Sequence, residues 1–275
     1  MKQAFLIVIS ALVLLAGFGG VMAADEPDIK KPLAPPGHPD HKHPNTGGQS
    51  ATDPSAILFQ FQTFYWTSVN ENGESDGETF LFQPVLPLSK TNLFRPALGY
   101  VTTPSPGRTG GMNDLFLLDL FFFNTPDSTF GVGPVATIPT ATDDALGSGK
   151  YQVGVSFVYL FKMFKKDLPG ILCWNQWSVA GDNDRSDVNL FNFQIVWVHH
   201  NKWGYIGWTD ILGAIDWEDD ARVSFPVGLR FGKVFQAKHP VNLAVEPYYT
   251  FEQDRDDVYG IKFTANFIMP KWMKH

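Results

Sequence analysis

The chain has 275 residues and a formal net charge of −7, and 44% of its residues are hydrophobic and 15% aromatic. This acidic balance lacks the basic surface that attracts nucleic acids and anionic lipid surfaces, so neither is expected as a partner. The single cysteine, Cys173, cannot close an internal disulfide and is interpreted as an apolar strand residue.

The first residues have the pattern of a secretory signal peptide. Lys2 provides a positive charge, an apolar run follows over 4–15, and small residues before Ala24 mark a cleavage position. We therefore assign residues 1–23 to a signal peptide that is removed before folding. An uncleaved membrane helix is disfavoured because the run is shorter than the about 18 apolar residues that such a helix needs.

Residues 24–54 form a segment rich in proline and histidine that shows no hydrophobic periodicity. Such a segment cannot bury a core, so we expect a disordered linker in the periplasm. His38, His41 and His43 lie within it, and imidazole is a common metal ligand. A solvated tail is favoured over a weak metal site because three histidines on a flexible chain are poorly preorganised. No metal or cofactor is predicted.

Apolar and polar residues alternate from residue 57 to residue 270 in segments of about ten residues. In one segment Tyr151, Val153 and Phe157 share a face, and Gln152 and Ser156 lie on the other. Side chains of a strand alternate between its two sides, so each segment has one apolar and one polar surface. Tilted strands of about 9–11 residues cross a bilayer. The pattern predicts Phe157 facing lipid and Gln152 facing a lumen.

Residues 55–275 are therefore predicted to form an all-β fold, an antiparallel transmembrane β-barrel of about twelve strands. The candidate strands are 57–66, 78–89, 92–104, 112–124, 128–139, 150–162, 171–181, 187–200, 203–217, 221–236, 240–252 and 258–270.

The connections between these segments support an even count. Acidic connections, such as 70–76, 181–185 and 254–257, alternate with shorter ones that tend towards lysine, such as 89–91 and 201–202. An even number of strands returns the C-terminus to the side of the N-terminus. Both ends of the barrel chain are expected in the periplasm, and the acidic connections outside the cell.

Prolines within the proposed strands leave ten or fourteen strands as alternatives, because each proline removes a ladder donor and implies a bulge or an early strand end. These prolines are Pro84, Pro87, Pro96, Pro134, Pro139, Pro226 and Pro247. The segment 112–124 is also irregular, since Leu115 to Leu118 are consecutive apolar residues. A buried helix is the alternative there.

Three stretches resemble a specific family. Residues 130–150 read FGVGPVATIPTATDDALGSGK, residues 175–182 read NQWSVAGD, and GKVF at 232–235 is followed by PVNL at 240–243. These stretches are similar to the outer-membrane transporters named after the MetA pathway of phenol degradation. The resemblance covers most of 57–270 and leaves the proline- and histidine-rich segment outside it.

The resemblance implies a barrel in the outer membrane of a Gram-negative cell that passes small hydrophobic or aromatic compounds. A barrel of twelve strands lies between small filled barrels and large open porins, so a narrow or partly plugged lumen is expected. The sequence thus predicts a passive transporter or channel for a small hydrophobic solute. A structural barrel that maintains envelope integrity, with no dedicated substrate, is the alternative.

Charged residues on the polar strand faces are the candidate lumen or gating residues. They are Asp210, Asp216, Arg230, Glu246 and Lys262. Ion pairs that brace the lumen are favoured over a dedicated solute site, because unpaired buried charge is costly. The acidic stretches around Asp143 and Asp182 are interpreted as surface loops, with a bridging divalent cation as the alternative.

No catalytic residue is predicted, and the chain is expected not to be an enzyme. Outside the N-terminal linker the histidines are His199, His200, His239 and His275, all at the periplasmic end in this topology, and no G-x-S-x-G motif is present.

We expect outer-membrane lipid to surround the barrel. Aromatic residues near strand ends are predicted to lie at headgroup level. They are Tyr151, Tyr159, Phe161, Trp197, Trp203, Trp217 and Trp272.

Overall fold

A closed ring of twelve antiparallel strands makes up the fold. The computed structural model describes residues 52–104, 106–164 and 166–269. The strands are β1 Phe59–Asn70, β2 Ser75–Pro87, β3 Asn92–Thr102, β4 Gly110–Met112 with Leu115–Asn124, β5 Ser128–Ile138, β6 Lys150–Phe161, β7 Gly170–Gly181, β8 Asn189–Val196 with Val198–His200, β9 Tyr205–Trp208 with Gly213–Asp216, β10 Arg222–Phe235, β11 Val241–Glu252 and β12 Val258–Met269. A short 3₁₀ helix, Asp144–Leu146, lies between β5 and β6.

Every strand pairs with its neighbours in the chain, and β1 pairs with β12 to close the ring. The closing ladder runs from Phe59 opposite Met269 to Asn70 opposite Val258. Closure leaves no strand edge with unpaired backbone groups, which lipid could not satisfy. The predicted fold class and the count of twelve are confirmed. In the part of the chain described, no helix is long and apolar enough to cross a membrane.

The two faces of the strands separate as the sequence predicted. On β6, Tyr151, Val155 and Phe157 point outward, and the Phe157 side chain is 41% exposed. Gln152 and Ser156 point inward, and Gln152 is 9% exposed. Because the outer surface of a membrane barrel meets lipid tails, exposed apolar side chains on this face are the expected arrangement.

Aromatic side chains also lie outward near both ends of the barrel. Trp217 follows the end of β9 and Trp203 precedes its start, and both are about half exposed. Tyr151 and Phe161, at the two ends of β6, are exposed as well. Their location at lipid headgroup level stays a prediction, and Trp272 lies outside the described residues.

Three ladders are interrupted without a change of register, and each of these interruptions contains a proline. Between β2 and β3 pairing stops after Phe82–Leu98 and resumes at Leu86–Phe94, with Pro84 in the gap. The other two gaps leave out Pro134 on β5 and Pro247 on β11. The register is the same on both sides of each gap. The prolines therefore remove hydrogen bonds without ending a strand or changing the strand count.

Strand β9 departs from the prediction, because the uninterrupted segment expected over 203–217 is broken at residues 209–212. Trp208 lies opposite Leu229, whereas Ala214 lies opposite Ser224, so β9 contains one extra residue between these pairs. The break faces Pro226 on β10, which has no N–H to donate. The extra residue is a β-bulge, and it exchanges the inward and outward positions of β9.

The apolar run at Leu115 to Leu118 is part of strand β4 and not of a helix, so the helical alternative is wrong. Its inward side chains, such as Leu118 and Leu120, are at most 2% exposed and join an apolar cluster contributed by β2 to β8. Both faces of β4 are apolar because its outward side chains face lipid and its inward side chains pack in this cluster. The cluster occupies the half of the interior nearest to the terminal end, defined as the end where β1 begins and β12 ends.

Candidate functional site

An internal cavity of about 450 Å³ lies within the barrel. Part of its lining, here called the apolar wall, comes from the apolar cluster and includes Leu118, Leu172 and Val196. The rings of Phe116 and Trp174 also line the cavity, with their centroids 5.5 Å apart. The polar and charged part of the lining is here called the charged wall. It includes Gln62, Gln83, Arg95, Asp210, Arg230 and Lys262.

Asp210 is the centre of the charged wall. It lies in the β9 bulge and accepts hydrogen bonds from Lys262 on β12 and, at 2.5 Å, from Arg230 on β10. The three side chains are 8–14% exposed. One carboxylate thus serves two cations and connects the bulge to the adjacent strand β10 and to β12.

Lys262 has aromatic neighbours as well as its carboxylate partner. Its Nζ lies 4.6 Å from the ring centroid of Phe64 and 5.3 Å from that of Trp66, both on β1. Ammonium groups are attracted to the negative faces of such rings. Asp210 and the two rings together fix the position of this ammonium group.

Glu246 holds the bulge from β11. Its Oε1 accepts hydrogen bonds from the Thr209 hydroxyl at 2.5 Å and from the Asp210 N–H at 3.1 Å. The side chain is 1% exposed, and within the described residues its Oε2 has no hydrogen-bond partner. Glu246 therefore supplies an acceptor for one backbone N–H of the bulge, that of Asp210.

Arg95 lies on β3, where the charged wall meets the apolar wall. Its Nη2 donates to the side-chain oxygens of Gln62 and Gln83, at 3.1 and 3.2 Å. In the ladder Arg95 lies opposite Leu118, and Ala97 lies opposite Phe116. Among the described residues no carboxylate lies within 4.0 Å of this guanidinium group, and its Nε donates to nothing.

Four of the five sequence-predicted lumen residues meet at this site: Asp210, Arg230 and Lys262 bond directly, and Glu246 binds the Asp210 backbone. Asp216 lies apart, after the bulge, where it pairs at 3.8 Å with Arg222. Their roles in gating or bracing stay a prediction.

Sequence reasoning missed Arg95 and the apolar wall. One signal for Arg95 was present, since it is a lone cation at alternate spacing with Ala97 and Gly99. No comparable signal marked the inward positions of β4, where the lumen side is itself apolar.

The loop over residues 139–149, at the far end from the termini, is held by Asp114. Its Oδ1 accepts from the N–H groups of Thr140 and Ala141, and its Oδ2 accepts from the N–H and hydroxyl of Ser148 at 2.8 and 3.0 Å. Arg185, from the loop between β7 and β8, donates to backbone carbonyl groups of the same loop. These bonds hold in place the loop within residues 130–150, which form one of the stretches that resemble the MetA-pathway transporters.

Acidic side chains of the far-end loops accept hydrogen bonds from their own loops or from neighbouring strands. Asp143 accepts from the Ala145 N–H, and Asp182 accepts from the Asp184 N–H. Asp187 accepts from the Lys150 Nζ at 3.2 Å and from the Ser178 hydroxyl, and these bonds lower the pKa of its carboxyl. In the described part of the chain no three His, Cys, Asp or Glu side chains converge as metal ligands do. His38, His41 and His43 lie outside that part.

The terminal end of the cavity is lined by the segment that precedes β1. Thr52, Asp53, Pro54 and Ala56 contribute to the lining. The Thr52 hydroxyl lies 2.8 Å from His200 Nε2, which connects this segment to β8. The segment and the apolar cluster together narrow the interior at this end.

A closed antiparallel barrel with an apolar exterior is the architecture of transmembrane β-barrels. The chain is similar in structure to the COG4313 outer membrane channel from Pseudomonas putida F1, at 14% sequence identity over 79% of this chain and 99% of that chain, with a TM-score of 0.55. It is less similar to a KdgM porin in complex with disordered oligogalacturonate, at 7% identity over 75% of this chain and 98% of that chain, with a TM-score of 0.46. No protein-family model and no curated protein matches the sequence. These likenesses concern the fold, and the resemblance to the MetA-pathway transporters stays a prediction.

Proposed function

We propose that this chain is a passive channel of the Gram-negative outer membrane that admits small hydrophobic, in particular aromatic, molecules. The observation that carries the proposal is the cavity of about 450 Å³ inside a closed membrane-type barrel, with Phe116 and Trp174 in its wall. Cavities of about 300–1,000 Å³ are the usual size for small-molecule sites. Outer-membrane lipid surrounds the barrel in this proposal, and the part of the 24–54 segment that precedes Thr52 lies in the periplasm.

Aromatic solutes suit the apolar wall for a physical reason. Leaving water for an apolar surface stabilises a solute by about 25 cal/mol per Å² of buried apolar area. Tilted ring pairs such as Phe116 and Trp174 add favourable contact with a third aromatic ring. The charged wall, centred on Asp210, braces the passage without filling it.

Vesicles that carry lipopolysaccharide in the outer leaflet test the proposal. Purified protein should speed the uptake of N-phenyl-1-naphthylamine, a neutral aromatic tracer, while showing little steady ion conductance. Ala97→Phe should slow this uptake because Ala97 lines the cavity and a phenyl ring would occupy it. Val155→Phe is the matched control, since Val155 points outward and is 57% exposed. Equal uptake with and without protein contradicts the proposal.

A structural barrel without a dedicated substrate is the second candidate. The apolar cluster favours it, because Leu93, Leu120 and Leu160 are at most 1% exposed and occupy the terminal half of the interior. A deletion strain distinguishes the two candidates. Unchanged uptake of hydrophobic compounds together with a weakened envelope supports the structural role, and reduced uptake with an intact envelope supports the channel.

A further inference from the structure

We propose that the cavity binds amphipathic anions, and aromatic carboxylates in particular, with the carboxylate on Arg95 and the ring on the apolar wall. This inference rests on the proposed function, because it names the class of solute that the same cavity takes. It follows from three features of the lining: a cation that has no carboxylate partner among the described residues, two further cations, and an apolar surface.

Arg95 has no carboxylate partner among the described residues. Its side chain is half-buried, and its hydrogen bonds go to two neutral amide oxygens, those of Gln62 and Gln83. Its buried Nε donates to no atom of the described residues. Guanidinium groups present a planar fork of donors that matches a carboxylate. The carboxylate of an anionic ligand therefore accepts hydrogen bonds from the Arg95 donors that lack an acceptor among the described residues.

The carboxylates near the cavity are engaged elsewhere. Asp210 is shared between Arg230 and Lys262. Asp53 accepts from the N–H and hydroxyl of Ser55 in its own turn. Glu246 bonds to Thr209 and to the Asp210 backbone. In the described residues none of these groups bonds to Arg95.

The apolar surface starts next to Arg95. Leu118 lies directly opposite it in the ladder, and Phe116 lies opposite Ala97, two residues further along β3. Cross-strand neighbours on one face have their Cβ atoms about 4.5–5.5 Å apart. Arg95, Phe116 and Trp174 line the same cavity, so the proposal places the carboxylate of a benzoate-sized molecule on Arg95 and its ring against the two aromatic side chains.

Other charge states suit this position less well. A cationic solute meets Arg95, Arg230 and Lys262, which all line the cavity. A neutral apolar solute displaces water from Arg95 without accepting hydrogen bonds in its place. Buried donors without an acceptor cost free energy. An anionic head with an apolar body satisfies both parts of the lining.

Calorimetric titration of the full-length protein in detergent tests the inference. Benzoate and benzamide are matched probes, because they share a ring and differ in charge. We expect benzoate to bind at least about tenfold more tightly, as hydrogen bonds to charged groups are worth more than neutral ones. Arg95→Gln should abolish this preference. Arg108→Gln is the matched control, since Arg108 lies in a far-end loop and pairs with Glu78.

Two results overturn the inference: equal binding of benzoate and benzamide by the unaltered protein, or a benzoate preference that survives Arg95→Gln. Heat-modifiable migration on a gel verifies that each variant forms the barrel, and the comparison of the two probes on the unaltered protein needs no variant. If benzoate shows no preference while the neutral tracer still enters vesicles, this inference fails and the proposed function stands. If the tracer uptake also fails, both are wrong.

Discussion

Pro84 on β2 and Pro96 on β3 lie directly opposite each other in the barrel wall, in the middle of an interrupted ladder. The Leu88 N–H donates to the Asn92 carbonyl in the same register, which identifies every second pair, including Pro84 and Pro96, as a hydrogen-bonded pair. Two ordinary residues would exchange two hydrogen bonds there. The prolines supply neither donor, so the wall is weakened without a change of register.

Replacing both prolines with valine should restore the two missing hydrogen bonds. Each bond is worth about 0.5–1.5 kcal/mol, partly offset by the greater freedom of the unfolded chain once proline is removed. Hydrogen exchange is therefore the sharper measurement: the new amides at positions 84 and 96 should be protected. Rapid exchange at both positions would show that the gap has another cause. Pro87→Val, at the end of β2, is the control.

Arginine substitution on β6 tests the two faces of the wall. Phe157→Arg places a charge on the lipid face near the middle of the strand and should lower the free energy of unfolding by about 2–4 kcal/mol. Gln152→Arg places the same charge on the lumen face and should cost much less. Urea titration in lipid vesicles measures both, and similar losses would mean that the faces are wrongly assigned.

Asp210→Asn should be severely destabilising, because it leaves Arg230 and Lys262 without their shared carboxylate. Removing one partner from a buried ion pair costs about 3–5 kcal/mol. Asp216→Asn is the matched control at a partly exposed pair with Arg222, where we expect about 0–1 kcal/mol. Comparable unfolding midpoints for the two variants would contradict a bracing role for Asp210.

Asp114→Ala should release the loop over 139–149, since the Asp114 carboxylate accepts four hydrogen bonds from it. Hydrogen bonds to charged groups contribute about 1.5–3 kcal/mol each at most, and water replaces part of this at the surface. Limited proteolysis should show faster cleavage in this loop. Asp143→Ala removes one local bond to Ala145 and serves as control. Unchanged cleavage in Asp114→Ala would show that the Asp114 carboxylate does not hold this loop.

Acid should detach Asp187 from Lys150. The lowered pKa of Asp187 means that its contribution to stability is present above its unfolded pKa of about 3.9 and is lost as the pH falls through the lower folded value. A carboxyl-carbon titration by nuclear magnetic resonance measures this pKa. Lys150→Met removes the main cause and should raise it towards the ordinary value. No change in this variant would show that Ser178 dominates.

Alternation along the strands was sufficient to predict a barrel of about twelve strands, because lipid outside and water inside impose opposite demands on neighbouring residues. It was sufficient for Phe157 and Gln152, and it placed Arg230, Glu246 and Lys262 on the inner face. Prolines within the segments left the number of strands open, because a proline in the sequence is compatible both with one missing hydrogen bond inside a strand and with the end of a strand.

The contents of the lumen were harder to predict. Leu118 and Leu120 face inward on β4 although they are apolar, because they pack against other inward side chains and not against water. Alternation records only a difference between faces, so it carries no information where the two faces are alike. Arg95 was missed for a related reason: its importance comes from the absence of a carboxylate among distant strands, which only the three-dimensional arrangement reveals.

The extra residue in β9 has a consequence for how the chain tolerates changes in length. Residues 209–212 have no regular pairing, and surface segments of that kind usually accept insertions and deletions. Here the removal of one residue would turn Ala214 and Asp216 from the inside of the barrel to the outside, with Asp216 then facing lipid. We expect related sequences to keep the number of residues in this stretch constant.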